Sequence, residues 1–293
     1  MPTANSVYDK RFRPLDTLIH VIIYFCAFIS IILLAGIVGY VFYRGISSVN
    51  WTFLTTVPSA LKGTVGIAGN IVNTLYIIII TLIIAVPFGV GAAIYLNEYA
   101  KPGRIVNLIE FTTETLSGIP SVIFGLFGYV FFGITLNLGY SILTGALTLV
   151  LIVLPLITRN TQEALKTVPS NYRTGALGIG ATKWYMIRTI LLPSAMPGII
   201  TGIILSVGRI VGESAALIFT AGSGYQLPKL GEYGEGLLEK VTQPGGTLTI
   251  QLYLSMEKGK YDTAFGIALV LLVIVLGINL LTKYLSRKLS VTK

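Results

Sequence analysis

Polar residues along this chain are spaced by distances that match the thickness of a bilayer. Long apolar stretches with few or no charges run between Asp16 and Arg44, Lys62 and Glu98, Glu114 and Arg159, Arg188 and Lys229, and Asp262 and Lys283. About 20 apolar residues in a helix cross the hydrocarbon. Four of these stretches hold one such helix each, the second best placed at about Ile71–Leu96. The stretch from Glu114 to Arg159 has room for two, with a turn near Asn137–Gly139. The pattern predicts an all-α polytopic membrane protein with six transmembrane helices.

Local signals refine the boundaries. Pro120, in "GIPS", and Pro197 can start helices, where a missing N–H costs nothing. Pro87, beside Gly89 and Gly91, predicts a kink in the second span. Gly118, Gly125, Gly128 and Gly133 in the third span allow close helix approach.

Charge adds orientation. Taking the N-terminus as inside, fourteen of the 21 Lys and Arg residues fall in inside segments, and six fall outside. Arg209 is the remaining one. Cytoplasmic loops carry the excess of Lys and Arg, so both termini are predicted cytoplasmic. The net charge of +9 is thereby explained without nucleic acid. Composition agrees: 54% of residues are hydrophobic and 11% charged, against about 25% charged in soluble domains. The apolar run Leu18–Tyr43 is too long for a signal-peptide core of about 7–15 residues and reads as a retained anchor. The single cysteine, Cys26, and single histidine, His20, leave no disulfide and no multi-histidine metal site. No cofactor and no catalytic cluster is expected. A nucleotide-binding G-x-x-x-x-G-K-[ST] loop is missing too, so any ATP hydrolysis belongs to another subunit.

Two segments carry candidate chemistry. The inside loop Arg159–Met196 starts a helix at Pro169-Ser170 and breaks it at Gly178 and Gly180. Thr182 can cap a second short helix, to which Trp184, Met186 and Ile187 bring apolar contacts. This hairpin either lies on lipid headgroups or docks a partner. In the fifth span, Pro197–Thr220, Arg209 and Glu213 sit four residues apart near the bilayer centre, where each costs about 2.5–3.5 kcal/mol to insert. A continuous helix puts them on one face with Ser206. That face is either a self-neutralising salt bridge or the lining of a pathway. Arginine suits an oxyanion, because its planar fork donates paired hydrogen bonds.

The hairpin's spacing resembles that of binding-protein-dependent ABC importer permeases. There, E-A-A is followed by three residues, Gly, nine residues, and I-x-L-P. The chain has Thr174, Gly175 and Ala176, then Gly180, then Ile190, Leu192 and Pro193. Thr174 replaces the family's Glu, and Gly175 its first Ala. "YLNEYA" (95–100), "LSGIPSVIFGLFG" (116–128), "GRIVGESAALIFTAG" (208–222) and "ALVLLVIVLGINLL" (268–281) resemble phosphate-specific permeases of PstA type. "GIAGNIVNTL" (66–75) departs from their pattern.

The resemblance implies a MetI-like transport core. Residues 1–69 would add a first span and outer loop, 70–285 would form the core with its coupling loop 159–196, and 286–293 a tail. It also implies docking of ATP-binding subunits through Thr174, Gly175, Ala176, Gly180, Trp184, Ile190 and Pro193. Further implied partners are a second permease subunit and an extracytoplasmic phosphate-binding protein, which the outer loop Gly222–Tyr261 would meet. The location would be a bacterial or archaeal cytoplasmic (inner) membrane. Three readings stand: phosphate import, import of another oxyanion such as sulfate or molybdate, and a self-contained ion channel or secondary transporter.

Overall fold

The computed structural model describes residues 14–59, 64–101, 103–228 and 236–289. Lys10, Arg11, Arg13, Lys62, Lys229, Glu232, Glu235 and Lys293 lie outside the described residues. The described chain folds into helices α1 (Pro14–Gly45), α2 (Trp51–Thr55), α3 (Ala68–Tyr99), α4 (Arg104–Ser117), α5 (Ser121–Thr135), α6 (Ile142–Lys166), α7 (Ser170–Gly178), α8 (Lys183–Gly212), α9 (Ala215–Thr220), α10 (Leu248–Glu257) and α11 (Tyr261–Leu289). Among the described residues, helices α1, α3, α6, α8 and α11 are long and apolar enough to cross a membrane, and the bent pair α4 with α5 is so when taken together.

That break corrects the expectation of a plain third span. α4 and α5 meet at 102°. Pro120 sits at ψ 135° immediately before α5, and a proline disfavours helical backbone in the residue before it, so the chain turns at Ile119–Pro120. The expected turn after α5 is present, with Asn137 and Gly139 at φ 60° and 58°.

The fifth span is corrected at both ends. α8 begins at Lys183 and runs through Pro197, which lies inside the helix. A wide π-turn at Ile187–Leu191 lies within α8, and Pro193 sits just after it, where regular α-helical turns resume. At the far end α8 stops at Gly212, and α9 restarts at Ala215. The second span is longer than expected and closes in a π-turn, Tyr95–Tyr99.

The core lies where α3, α6 and α8 meet, around Ile77, Ala85, Leu149, Val153, Ile157 and Ile210. Gly125 of α5 lets α9 approach closely: a Cβ there would stand 2.8 Å from Ala216 Cα. α1 is peripheral and touches the bundle mainly through α11. Arg44 pairs with Asp262 at 3.8 Å, and Tyr40 meets the Phe265 ring edge-on at 5.5 Å.

The segment 222–261, expected to lie outside, contains among its described residues a helix that the hydrophobic pattern did not indicate. α10 buries Leu248, Ile250 and Ser255. It is held by the segment that departs from the family pattern. Asn70 Nδ2 donates to Gly246 O at 2.9 Å and Asn73 Nδ2 to Gly224 O at 2.9 Å. Leu248 N donates to Thr74 Oγ1 at 3.0 Å. Inside a membrane bundle, non-helical backbone needs protein partners for its polar groups, and this polar face of α3 supplies them.

Candidate functional site

The break between α8 and α9 decides the geometry of the charged residues. Glu213 has φ −80° and ψ 122°, so Arg209 and Glu213 do not lie on one helical face. Glu213 is buried, and its Oε1 accepts from Ala216 N at 3.2 Å, satisfying an N–H in the first turn of α9. Its carbonyl accepts from Thr249 Oγ1 of α10 at 3.0 Å. Of the two readings left open, the salt bridge between the two residues is not formed: Glu213 is turned into the α9 cap. Ser206 is also separate, buried with its hydroxyl donating to Gly202 O at 2.9 Å. The role of Glu213 here is a cap, so Glu213→Ala is expected to cost about 1 kcal/mol. A lower midpoint in thermal unfolding of the detergent-solubilised protein checks this.

Arg209 is left by itself. It is exposed on this chain. Among the described residues, no ion pair or hydrogen bond engages its guanidinium. It borders a cavity of about 90 Å³ with Leu116, Ser117, Ile119, Phe124, Ile152 and Leu156. Ile152 and Leu156 lie near the middle of the 25-residue α6, which sets Arg209 at mid-bundle depth. Leu116, Ile119 and Phe124 also line an apolar hollow of about 410 Å³ against Leu151, Leu154 and Pro155. The bend between α4 and α5 therefore borders two adjoining hollows, and Arg209 lines the smaller of them. An uncompensated cation in a low-dielectric place attracts an anion strongly.

The hairpin forms as its sequence predicts, but between longer helices: α6 runs to Lys166 and α8 begins at Lys183, leaving 167–182 between them. α7 starts after Pro169 and ends at Gly178. Gly180 has φ 85°; Ala181 N bonds Ala176 O at 3.1 Å and Gly180 N bonds Leu177 O at 3.0 Å. This paired closure needs left-handed backbone, which glycine adopts freely. Thr182 caps α8 by accepting from Tyr185 N at 3.3 Å.

The residues expected to dock divide into two sets. Thr174, Gly175, Gly180 and Trp184 face outward, with Ile179 87% and Trp184 58% exposed. Ala176 is buried, and Ile190 packs against the cluster of Val168, Met186, Ile187 and Leu191; Pro193 is half-buried. Met186 and Ile187 make the expected apolar contacts, whereas Trp184 points away. The Thr174 hydroxyl lies within 3.4 Å of Ser170 O and 3.3 Å of Asn171 O in its own helix.

One polar link escaped the reading of the sequence. Arg173 of α7 reaches Glu98 at the end of α3, with Nε and an Nη donating to Oε1 at 3.1 and 2.9 Å. Asn97 Nδ2 donates to the same oxygen at 2.6 Å. The side chains are 4% and 23% exposed for Glu98 and Arg173. Glu98 ends the second apolar stretch and Arg173 precedes the hairpin's E-A-A position; their 75-residue separation hides the pair.

Comparison with known proteins agrees with this architecture. The family model "Binding-protein-dependent transport system inner membrane component" matches residues 85–291. The chain is 35% identical over 269 residues to the probable ABC transporter permease protein YqgI of Bacillus subtilis, covering 89% of this chain and 91% of that protein. It is 30% identical over 256 residues to phosphate transport system permease protein PstA 2 of Mycobacterium bovis, covering 87% and 82%. The crystal structure of a bacterial ABC transporter involved in the import of the acidic polysaccharide alginate matches with a TM-score of 0.65 at 17% identity, covering 96% of this chain and 98% of that one.

Proposed function

Because the chain belongs to the family of binding-protein-dependent transport system inner membrane components, we propose that it carries inorganic phosphate, with Arg209 contacting the anion. It is a membrane permease subunit of an ATP-driven ABC importer, and ATP is hydrolysed on separate chains. It spans the inner membrane several times. The name of the PstA 2 relative supports phosphate over sulfate or molybdate. One observation carries the anion reading: among the described residues the Arg209 guanidinium has no acidic partner, and it borders a cavity beside the middle of α6. Glu213 then caps α9 beyond the α8–α9 break, leaving Arg209 free of it at the cavity.

In this reading residues 70–285 form the transport core, and both termini lie on the cytoplasmic side with the hairpin. ATP-binding subunits dock on Thr174, Gly175, Gly180 and Trp184, while Ala176, Ile190 and Pro193 support that surface from within. Closure of those subunits drives alternating access. A second permease subunit completes the pathway, and the segment 222–261 receives an extracytoplasmic phosphate-binding protein. Uptake of labelled phosphate by the reconstituted complex, with sulfate and molybdate as competitors, tests the substrate. Phosphate alone should compete fully; equal competition by sulfate would replace phosphate with a broader oxyanion class.

A further inference from the structure

The hairpin is tied to the bundle in two physically different ways. Its apolar side packs against the ends of α6 and α8 through Leu165, Val168, Met186, Ile187 and Leu191. Such packing is non-directional. Arg173 adds a directional link. Beside its bonds to Glu98 of α3, it donates to Leu165 O and Val168 O, both at 2.9 Å, at the end of α6. Nearby, Lys183 at the start of α8 sits 4.9 Å from the centroid of the Tyr99 ring of α3. The ends of α3 and α6 thus meet on one guanidinium, and α3, α6 and α8 are the helices that form the core.

Burying an ion pair is costly unless its geometry is good and its remaining donors are satisfied. Here Arg173 uses its fork on a carboxylate and two carbonyls, and Asn97 supports the carboxylate. Replacing the pair with apolar side chains would often be as stable, so stability alone does not account for it. A directional tie between an outward docking face and two core helices is what a mechanical link requires.

We propose that Glu98 and Arg173 are positioning residues of energy coupling, transmitting displacement of the hairpin to α3 and α6. This rests on the importer reading but not on phosphate as the substrate. The link should yield when the carboxylate loses its charge, because charge-assisted hydrogen bonds are roughly twice as strong as neutral ones. Loss of the link would let the hairpin move while α3 stays behind.

The test uses the full complex with its ATP-binding subunits, in a Cys26→Ser background. Spin labels are placed at Ile83→Cys on α3 and Val273→Cys on α11, both exposed positions. Pulsed EPR reads the distance between them without nucleotide and after trapping with ATP and vanadate. The unaltered link should give a nucleotide-dependent shift, and Glu98→Gln should lose it while the ATP-binding subunits remain bound. A purely structural role predicts the same shift in every complex that assembles, so a normal shift in assembled Glu98→Gln overturns the proposal. If Glu98→Gln does not assemble, Glu98→Asp is read instead: a reduced shift supports the link, and a full shift overturns it. Absence of any shift with Glu98 intact overturns the proposal by removing the motion it transmits. Phosphate uptake by the same complex is scored separately, so a wrong substrate leaves the distance result standing.

Discussion

Arg209→Ala is expected to cut uptake by about 10- to 100-fold while the complex stays assembled. Hydrogen bonds to charged groups contribute about 1.5–3 kcal/mol, and about 1.4 kcal/mol is a factor of ten. The side chain makes no ion pair among the described residues and is exposed on this chain, so folding should not depend on it. Arg209→Lys keeps the charge but loses the planar fork, and its uptake should fall between alanine and arginine. Initial uptake rates, normalised to assembled complex, give the measurement. Full transport by Arg209→Ala would remove the residue from the pathway and leave the cavity as packing space.

The second large effect is expected at the hairpin tip. Ile179→Asp or Trp184→Asp should weaken binding of the ATP-binding subunit by about 30-fold or more, since truncating a central anchor costs about 2 kcal/mol or more. Both side chains are largely exposed in the permease alone, so the permease should still insert and fold. Retention of the ATP-binding subunit during purification, titrated by its concentration, reads the loss. Met186 offers an internal contrast. It is 1% exposed, so Met186→Ala should lower permease stability by about 2–5 kcal/mol, the range for large buried side chains. Unchanged retention by both tip variants would show that the hairpin is not the docking surface.

The fold was legible because lipid imposes a strong rule. Every backbone polar group inside hydrocarbon must be satisfied within a helix or by neighbouring protein, so long uncharged stretches become helices whatever their detailed sequence. Thr182, Gly180 and the Pro169-Ser170 pair were legible for a local reason: caps and left-handed closures depend on residues a few positions apart. The breaks were harder. Pro120 and Pro197 look alike in the sequence, yet Pro120 precedes the turned helix α5 and Pro197 lies inside α8. Which proline breaks a helix depends on the neighbouring packing.

The charged pair shows the limit most clearly. The spacing of Arg209 and Glu213 fits one helical face, but the helix ends between them at Gly212, and Glu213 turns to the N–H of Ala216. The Glu213 carboxylate satisfies a backbone N–H at the start of the next helix, and a four-residue spacing does not reveal it. Glu98 and Arg173 were invisible for another reason. Glu98 ends the second apolar stretch and Arg173 lies within the hairpin loop, and their pairing depends on how α3 and α7 are brought together. α10 escaped because its burial comes from packing on α11, where Leu248 meets Ile267 and Val270, and from polar links to α3, rather than from a long apolar run.

The central claim is that this chain provides a pathway driven by ATP hydrolysed elsewhere. The most direct measurement compares labelled phosphate uptake by proteoliposomes holding this chain alone with uptake by the full complex, each with and without ATP. Uptake should require the full complex and ATP, and should stop when vanadate traps the ATP-binding subunits. Uptake by this chain alone, independent of ATP, would contradict the claim and make the chain a self-contained channel or secondary transporter.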